Sequence, residues 1–253
     1  PFMVSVRGAD IFATHHIEGA IRIGWQEVAD PDNMALLPVD RDIVVYCYTG
    51  HTGGIATTVL RTLGYTTMNL KSGMTGWTDD EDASGGAAPF SDPATDLPTV
   101  TTETNPATRY DLPVLDITST DPDEIVRQAA EMYCSVGGSE QIITATALYD
   151  LLTDDNDAND PFVISVRAAS AYEAGHIEGA INIPWRTIAQ VDQLTRIDPD
   201  RDIVVYCYTG HSGGVATTAL RMLGYNAKNM KFGMLAWTTD ETARAGASPT
   251  VPQ

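Results

Sequence analysis

The chain runs to 253 residues and carries 34 acidic against 15 basic side chains, a formal charge of −19 with only three lysines, Lys71, Lys228 and Lys231. So acidic a molecule cannot use the counterion release by which proteins hold nucleic acid, and it is a poor fit to an anionic membrane surface. No apolar stretch approaches the ~20 residues a spanning helix needs, so the chain reads as soluble, with cytoplasm and bacterial periplasm both left open as its compartment, and it is long enough for two domains of common size.

In chain order, residues 2–6 read as a strand, followed by a helix, a strand over 20–23 and a short helix near Trp25. The apolar run Ile43-Val-Val-Tyr46 has the length and composition of a strand buried on both faces. It empties into the loop Cys47-Tyr-Thr-Gly-His-Thr-Gly-Gly54, after which a helix is expected from 54 to 63. A strand over 67–70 and a Gly-Met turn leading into a helix around Trp77 complete the series. Strands alternating with helices imply a parallel sheet covered on both faces, whose ligands bind at the carboxyl ends of the strands.

Residues 84–112 are rich in Gly, Ala, Ser, Pro and Thr and suit a linker. A capped helix follows, with Asp121 as N-cap, Glu124 three residues on, Ile125, Ala129, Met132 and Val136 on one face, and Gly137 to stop it. Residues 140–160 then read as a short extended piece, a helix with Ala147, Leu148, Leu151 and Leu152 toward the core, and an acidic loop.

From 161 onward the chain repeats itself. Residues 1–93 align with 161–253 at a constant offset of 160 without a gap, with 50 identical positions, and DRDIVVYCYTGH recurs unchanged. A period this long marks tandem domains, because solenoid repeats run roughly 20 to 50 residues. The boundaries read as 1–90 for the first domain, 91–112 for the linker and 113–253 for the second with its preceding helical segment. The first copy has no counterpart of 140–160 before its strand, which reads as a missing N-terminal segment.

Cys47 and Cys207 therefore occupy the same address, a strand end facing the start of a helix. Consecutive N–H groups of Tyr48, Thr49, Gly50, His51 and Thr52, and of Tyr208, Thr209, Gly210, His211 and Ser212, are expected to converge on each sulfur. Together with the helix dipole they favour thiolate over thiol. Gly50, Gly53, Gly210 and Gly213 let the backbone turn inward at little steric cost. The pattern points to a nucleophile. Cysteine phosphatases need an arginine six positions after the cysteine to grip phosphate, and Gly53 and Gly213 stand there. Three cysteines, two of them in separate domains, make no disulfide framework, and no Cys/His cluster has metal-ligand spacing. Cys134 reads as a small buried side chain, and His16 and His176 as structural histidines bonded to backbone. His51 and His211 either face the incoming donor or point to solvent. Tyr48 and Tyr208 either close over the sulfur or pack on the neighbouring turn. Arg7 and Arg167 either contact an anion or pair with Glu18 and Glu178.

With these residues in place, the chain resembles a tandem rhodanese-type sulfurtransferase. The likeness rests on the Ser-Val-Arg strand end, the turn Tyr172-Glu-Ala-Gly-His176-Ile-Glu-Gly-Ala180, the cysteine loop and the closing Gly-Met…Trp segment, and spans nearly all of both repeats. It implies two domains, each built on a five-stranded parallel sheet flanked by helices, with no metal or cofactor. It also implies that each cysteine takes sulfur from a small anionic donor such as thiosulfate, becomes a persulfide, and passes the sulfur to cyanide or a thiol. A persulfide carrier with little small-molecule turnover is the alternative. The chain departs from the family in having Tyr48 and Thr52, or Tyr208 and Ser212, where arginine or lysine is common, and Ser5 or Ser165 where an aspartate is usual. His15 stands where the second copy has Gly175; a left-handed turn there would cost about 1 kcal/mol more than with glycine, so the second domain is expected to be the better built.

Overall fold

The computed structural model describes residues 1–86, 95–104 and 108–246, and the chain divides into two compact units. The first holds a parallel sheet of four strands, β1 (Phe2–Ser5), β2 (Ile21–Arg22), β3 (Ile43–Tyr46) and β4 (Thr67–Asn69), in the order β2-β1-β3-β4. The second holds β5 (Ile142–Ile143), β6 (Phe162–Ser165), β7 (Ile181–Asn182), β8 (Ile203–Tyr206) and β9 (Ala227–Met230), in the order β5-β9-β8-β6-β7. Both are parallel, and among the described residues the fifth strand expected in each domain is present in the second only. β4 has no outer neighbour among the described residues.

The central strands β3 and β8 are the most buried, as continuous apolar runs between two helical layers should be. Ile43, Val45 and Tyr46, with Ile203, Val205 and Tyr206, are completely shielded. The helices His51–Thr62 and His211–Met222 press Ala56 and Leu60, or Ala216 and Leu220, onto their sheets. These helices begin three residues before the expected start at 54, so the double glycine lies inside the first turn.

The segments between the copies are distributed otherwise than the sequence boundaries suggest. Residues 95–104, expected as linker, strap the second unit: Leu97 N–H donates to Trp237 O at 2.8 Å, Trp237 Nε1–H to Pro98 O at 2.8 Å, and Val100 pairs antiparallel with His176. The helix Pro122–Ser135, expected ahead of the second domain, belongs to the first unit. It covers Trp25 with Tyr133, and Val136 O accepts from Gln26 Nε2 at 2.9 Å. Asp121 caps it, accepting from Asp123 N–H at 3.0 Å, while Glu124 turns to Arg127 and Gln128 instead of closing a capping box. Its buried face is Ala129, Ala130, Tyr133 and Cys134; Met132 is exposed. In the helix Ala145–Leu152, Ala145 and Leu148 are buried and Ala147 is not.

His15 is extended (φ −141°), so the left-handed turn expected there does not exist. Glycine at 175 answers a different need, since a Cβ there would lie 2.6 Å from that of Ala243. No described helix is long and apolar enough to cross a membrane.

Candidate active site

β3 ends at Tyr46 and its helix starts at His51, so Cys47 to Gly50 make the whole turn. Gly50 (φ 91°) and Gly210 (φ 90°) sit in left-handed backbone, which costs an L-residue about 1–2 kcal/mol and glycine almost nothing. That bend swings Gly50 N–H onto Cys47 Sγ at 3.0 Å, and Gly210 N–H onto Cys207 Sγ at 3.1 Å. Behind them the first-turn amides of Thr52 and Gly53, or Ser212 and Gly213, have no intrahelical acceptor, as first-turn amides never do, and bring the positive end of the helix to the turn.

The loop's carbonyls are tied back on the other side. Met74 N–H donates to Cys47 O at 2.9 Å and Thr75 N–H to Tyr48 O at 3.0 Å; Met234 and Leu235 do the same for Cys207 and Tyr208 at 2.9 and 3.1 Å. These bonds hold the planar peptides that follow Cys47 and Tyr48, and those that follow Cys207 and Tyr208, in fixed orientations. Gly73 and Gly233 (φ 54° each) make the approach possible, because a Cβ on Gly73 would strike Cys47 O and come within 2.8 Å of the Tyr48 carbonyl.

A third fixture comes from β4 and β9. Asn69 Nδ2 donates to Gly50 O at 2.9 Å and Asn229 Nδ2 to Gly210 O at 3.0 Å. The sequence reading passed over these asparagines and the role of Gly73 and Gly233, although identity at the 160-residue offset marks all four.

The other candidate side chains divide. Tyr48 folds away from the sulfur: its hydroxyl accepts from Gly8 N–H at 3.2 Å and its ring lies under the Arg7 guanidinium, as Tyr208 does with Ala168 and Arg167. Their side chains therefore pack on the neighbouring turn and do not close over the sulfur. His51 Nδ1 meets Thr49 Oγ1 at 2.9 Å and His211 Nδ1 meets Thr209 Oγ1 at 3.0 Å, so each ring is held by its own loop. Arg7 and Arg167, expected as anion contacts or partners of Glu18 and Glu178, are neither. They are 1 % and 0 % exposed and give their donors to Ala83 O and His15 O, or Ala243 O and Gly175 O. Each guanidinium staples the end of its strand to a turn and a helix, under Tyr46 or Tyr206 as well. His16 Nδ1 and His176 Nδ1 bond Phe12 O and Tyr172 O at 2.7 Å.

Cys47 and Cys207 are only 2 % and 1 % exposed as residues, so each sulfur lies at the buried base of its loop. Cys134 is different: burial pushes its thiol up to about 11, leaving it neutral and inert at ordinary pH. Among the described residues no group of three or more His, Cys, Asp or Glu could hold a metal ion.

The family model for the rhodanese-like domain matches residues 2–80 and 144–240, more than half of the chain. An HTH-type transcriptional regulator of Mycobacterium tuberculosis is 37 % identical over 105 residues, covering 40 % of this chain and 43 % of that protein. A sulfurtransferase of Allochromatium vinosum is 29 % identical over 98 residues, 38 % of this chain and 85 % of that protein. A rhodanese-like domain protein of Staphylococcus aureus, solved by crystallography, aligns at 25 % identity with a TM-score of 0.36, covering 40 % of this chain and 93 % of that one. The chain spans less than half the length of the first curated relatives it matches.

Proposed function

Because the chain belongs to the rhodanese-like domain family, we infer that it is a sulfurtransferase with two nucleophiles, Cys47 and Cys207. The observation that carries this reading is the amide hydrogen bond onto each loop sulfur, from Gly50 N–H at 3.0 Å and Gly210 N–H at 3.1 Å, at the mouth of a helix. Donors so placed stabilise negative charge on sulfur both before and after it accepts a second sulfur atom.

In the first half-reaction the thiolate attacks the outer sulfur of thiosulfate. The S–S bond of the donor breaks, sulfite leaves with its electron pair, and Cys–S–S⁻ remains. In the second, cyanide or a thiolate attacks the outer sulfur and takes it as thiocyanate or a persulfide, returning the cysteine thiolate. No proton or electron is gained overall. The site fits this chemistry because the atom transferred is the narrow terminus of its donor, and the loop lacks the arginine a tetrahedral oxyanion would need. The name of the Allochromatium vinosum relative supports the same reaction class.

The test is thiosulfate:cyanide transfer by the whole chain and by Cys47→Ala, Cys207→Ala and the double variant. Turnover surviving in the double variant rules out both cysteines. A persulfide adduct on either peptide without turnover identifies a sulfur carrier instead.

A further inference from the structure

We propose that Asn69 and Asn229 are positioning residues that set the cysteine loop in its amide-donating shape. The inference rests on Cys47 and Cys207 being the nucleophiles. Asn69 pairs in register with Val45, and Asn229 with Val205, each two residues before the cysteine, so both carboxamides emerge from the neighbouring strand at the level of the loop. Each spends Nδ2 on one atom, the carbonyl of the left-handed glycine, at 2.9 and 3.0 Å. The same carbonyl accepts Gly54 N–H or Gly214 N–H at 3.0 Å. With both lone-pair directions occupied, the peptide after the glycine cannot rotate. The glycine is thereby locked in the conformation that lays its own N–H on sulfur.

The other end of each carboxamide shows that packing is not its purpose. Asn69 Oδ1 and Asn229 Oδ1 are buried without a donor among the described residues. A leucine would fill similar space with no orphaned oxygen, and burying an unpaired acceptor is costly. Both copies nevertheless carry the asparagine, which points to the amide end. The glycines at 53 and 213 fit the same device, since a Cβ on Gly53 would come within 2.5 Å of Asn69 Oδ1 and one on Gly213 would strike Asn229 Oδ1.

The experiment uses Asn69→Leu in the full chain, with Cys207 of the same molecule as reference. Peptide-resolved iodoacetamide labelling at pH 7 reads how available each sulfur is as a nucleophile. If Asn69 positions the loop, losing it frees the glycine, the amide leaves Cys47 Sγ, and the Cys47:Cys207 labelling ratio falls roughly tenfold, as for loss of one hydrogen bond to a charged group. If Asn69 is merely structural, its loss loosens the fold and the buried Cys47, now 2 % exposed as a residue, becomes more accessible, so the ratio stays level or rises. That result overturns the proposal. Asn69→Asp, the same shape without the donor, must move the ratio in the same direction, and serves alone if the leucine variant does not fold. Asn229→Leu must reverse the pattern, slowing Cys207 only. A fallen ratio in a protein that never acquires a persulfide from thiosulfate overturns the sulfur-transfer reading and keeps the positioning role.

Discussion

Replacing Gly210 by alanine sets two magnitudes against each other. At φ 90° an L-residue is strained by about 1–2 kcal/mol. The strain disappears if the residue rotates to negative φ, but three hydrogen bonds go with it: Gly210 N–H to Cys207 Sγ at 3.1 Å, and the two that converge on Gly210 O, from Gly214 N–H and Asn229 Nδ2, each at 3.0 Å. At a net ~0.5–1.5 kcal/mol apiece they hold the loop with about 1.5–4.5 kcal/mol. The bonds win, so Gly210→Ala keeps the native turn and expresses the strain as stability. The second unit should lose about 1–2 kcal/mol, read from hydrogen exchange of β8 amides, while persulfide loading of Cys207, referred to Cys47 in the same molecule, stays within roughly threefold. Adding Asn229→Leu removes one of the three bonds and leaves about 1–3 kcal/mol against the strain, a near balance in which rotated loops become populated, so the double variant should load more slowly than the product of the single effects. A Gly210→Ala protein of unchanged stability whose loading falls more than tenfold would refute the reasoning, since the loop would then have rotated freely.

Four further outcomes are expected. Cys47 and Cys207, 2 % and 1 % exposed, should be alkylated by iodoacetamide at pH 8 but not by a maleimide carrying a long polymer; equal rates with both reagents would mean that the site is open. Burial raises the Cys134 thiol from 9.0 to about 11, so the folded state favours its neutral form. The stability this provides is complete below pH 9 and is lost as pH climbs toward 11, about 3 kcal/mol in all; Cys134→Ala should remove that part of the alkaline decline from the first unit, and an identical decline in both proteins would contradict it. Trp237→Ala should cost about 3–5 kcal/mol, because the ring is 2 % exposed, packs edge-on against Tyr149 and bonds Pro98 O, whereas its counterpart Trp77 is 57 % exposed and its replacement should stay within about 0.5 kcal/mol. Thiosulfate turnover should rise with moderate salt, since a chain at −19 slows a dianion's approach until its surface field is screened within ~8 Å; a flat profile would leave charge out of the encounter.

How much of this was legible in the sequence follows from what each residue's role depends on. The strand at 43–46 and the cysteine at its end were readable because burial on both faces writes itself as an unbroken apolar run. The start of the following helix was misplaced by three residues for an equally physical reason. Two glycines read as a turn when their neighbours are unknown, yet Gly53 and Gly54 are helical and buried, and Gly53 is small because Asn69 lies against it. Arg7 shows the same limit. An arginine at a strand end on the active face suggests an anion contact, but its donors end on the carbonyls of His15 and Ala83, partners that backbone folding alone brings together. The straps at 95–104 and 122–135 were also invisible, because composition reports a linker and periodicity a helix, and neither says which body will bury them.

The two copies test which features matter to the thiol. Their peripheries differ: one sheet has four strands and the other five, one equivalent tryptophan is open and the other strapped. Apart from Thr52 against Ser212, their loops agree in sequence and in geometry. The left-handed glycines stand at 91° and 90°, the amide-to-sulfur distances are 3.0 and 3.1 Å, and the asparagine bonds are 2.9 and 3.0 Å. A geometry shared by two units whose described surroundings differ is set by what is common to both, namely the central strand, the helix it feeds, the carboxamide from the next strand and the Gly-Met turn that holds the carbonyls back. The better cover of the second unit therefore bears on how hard it is to unfold, and the reactivity of Cys47 and Cys207 should be matched.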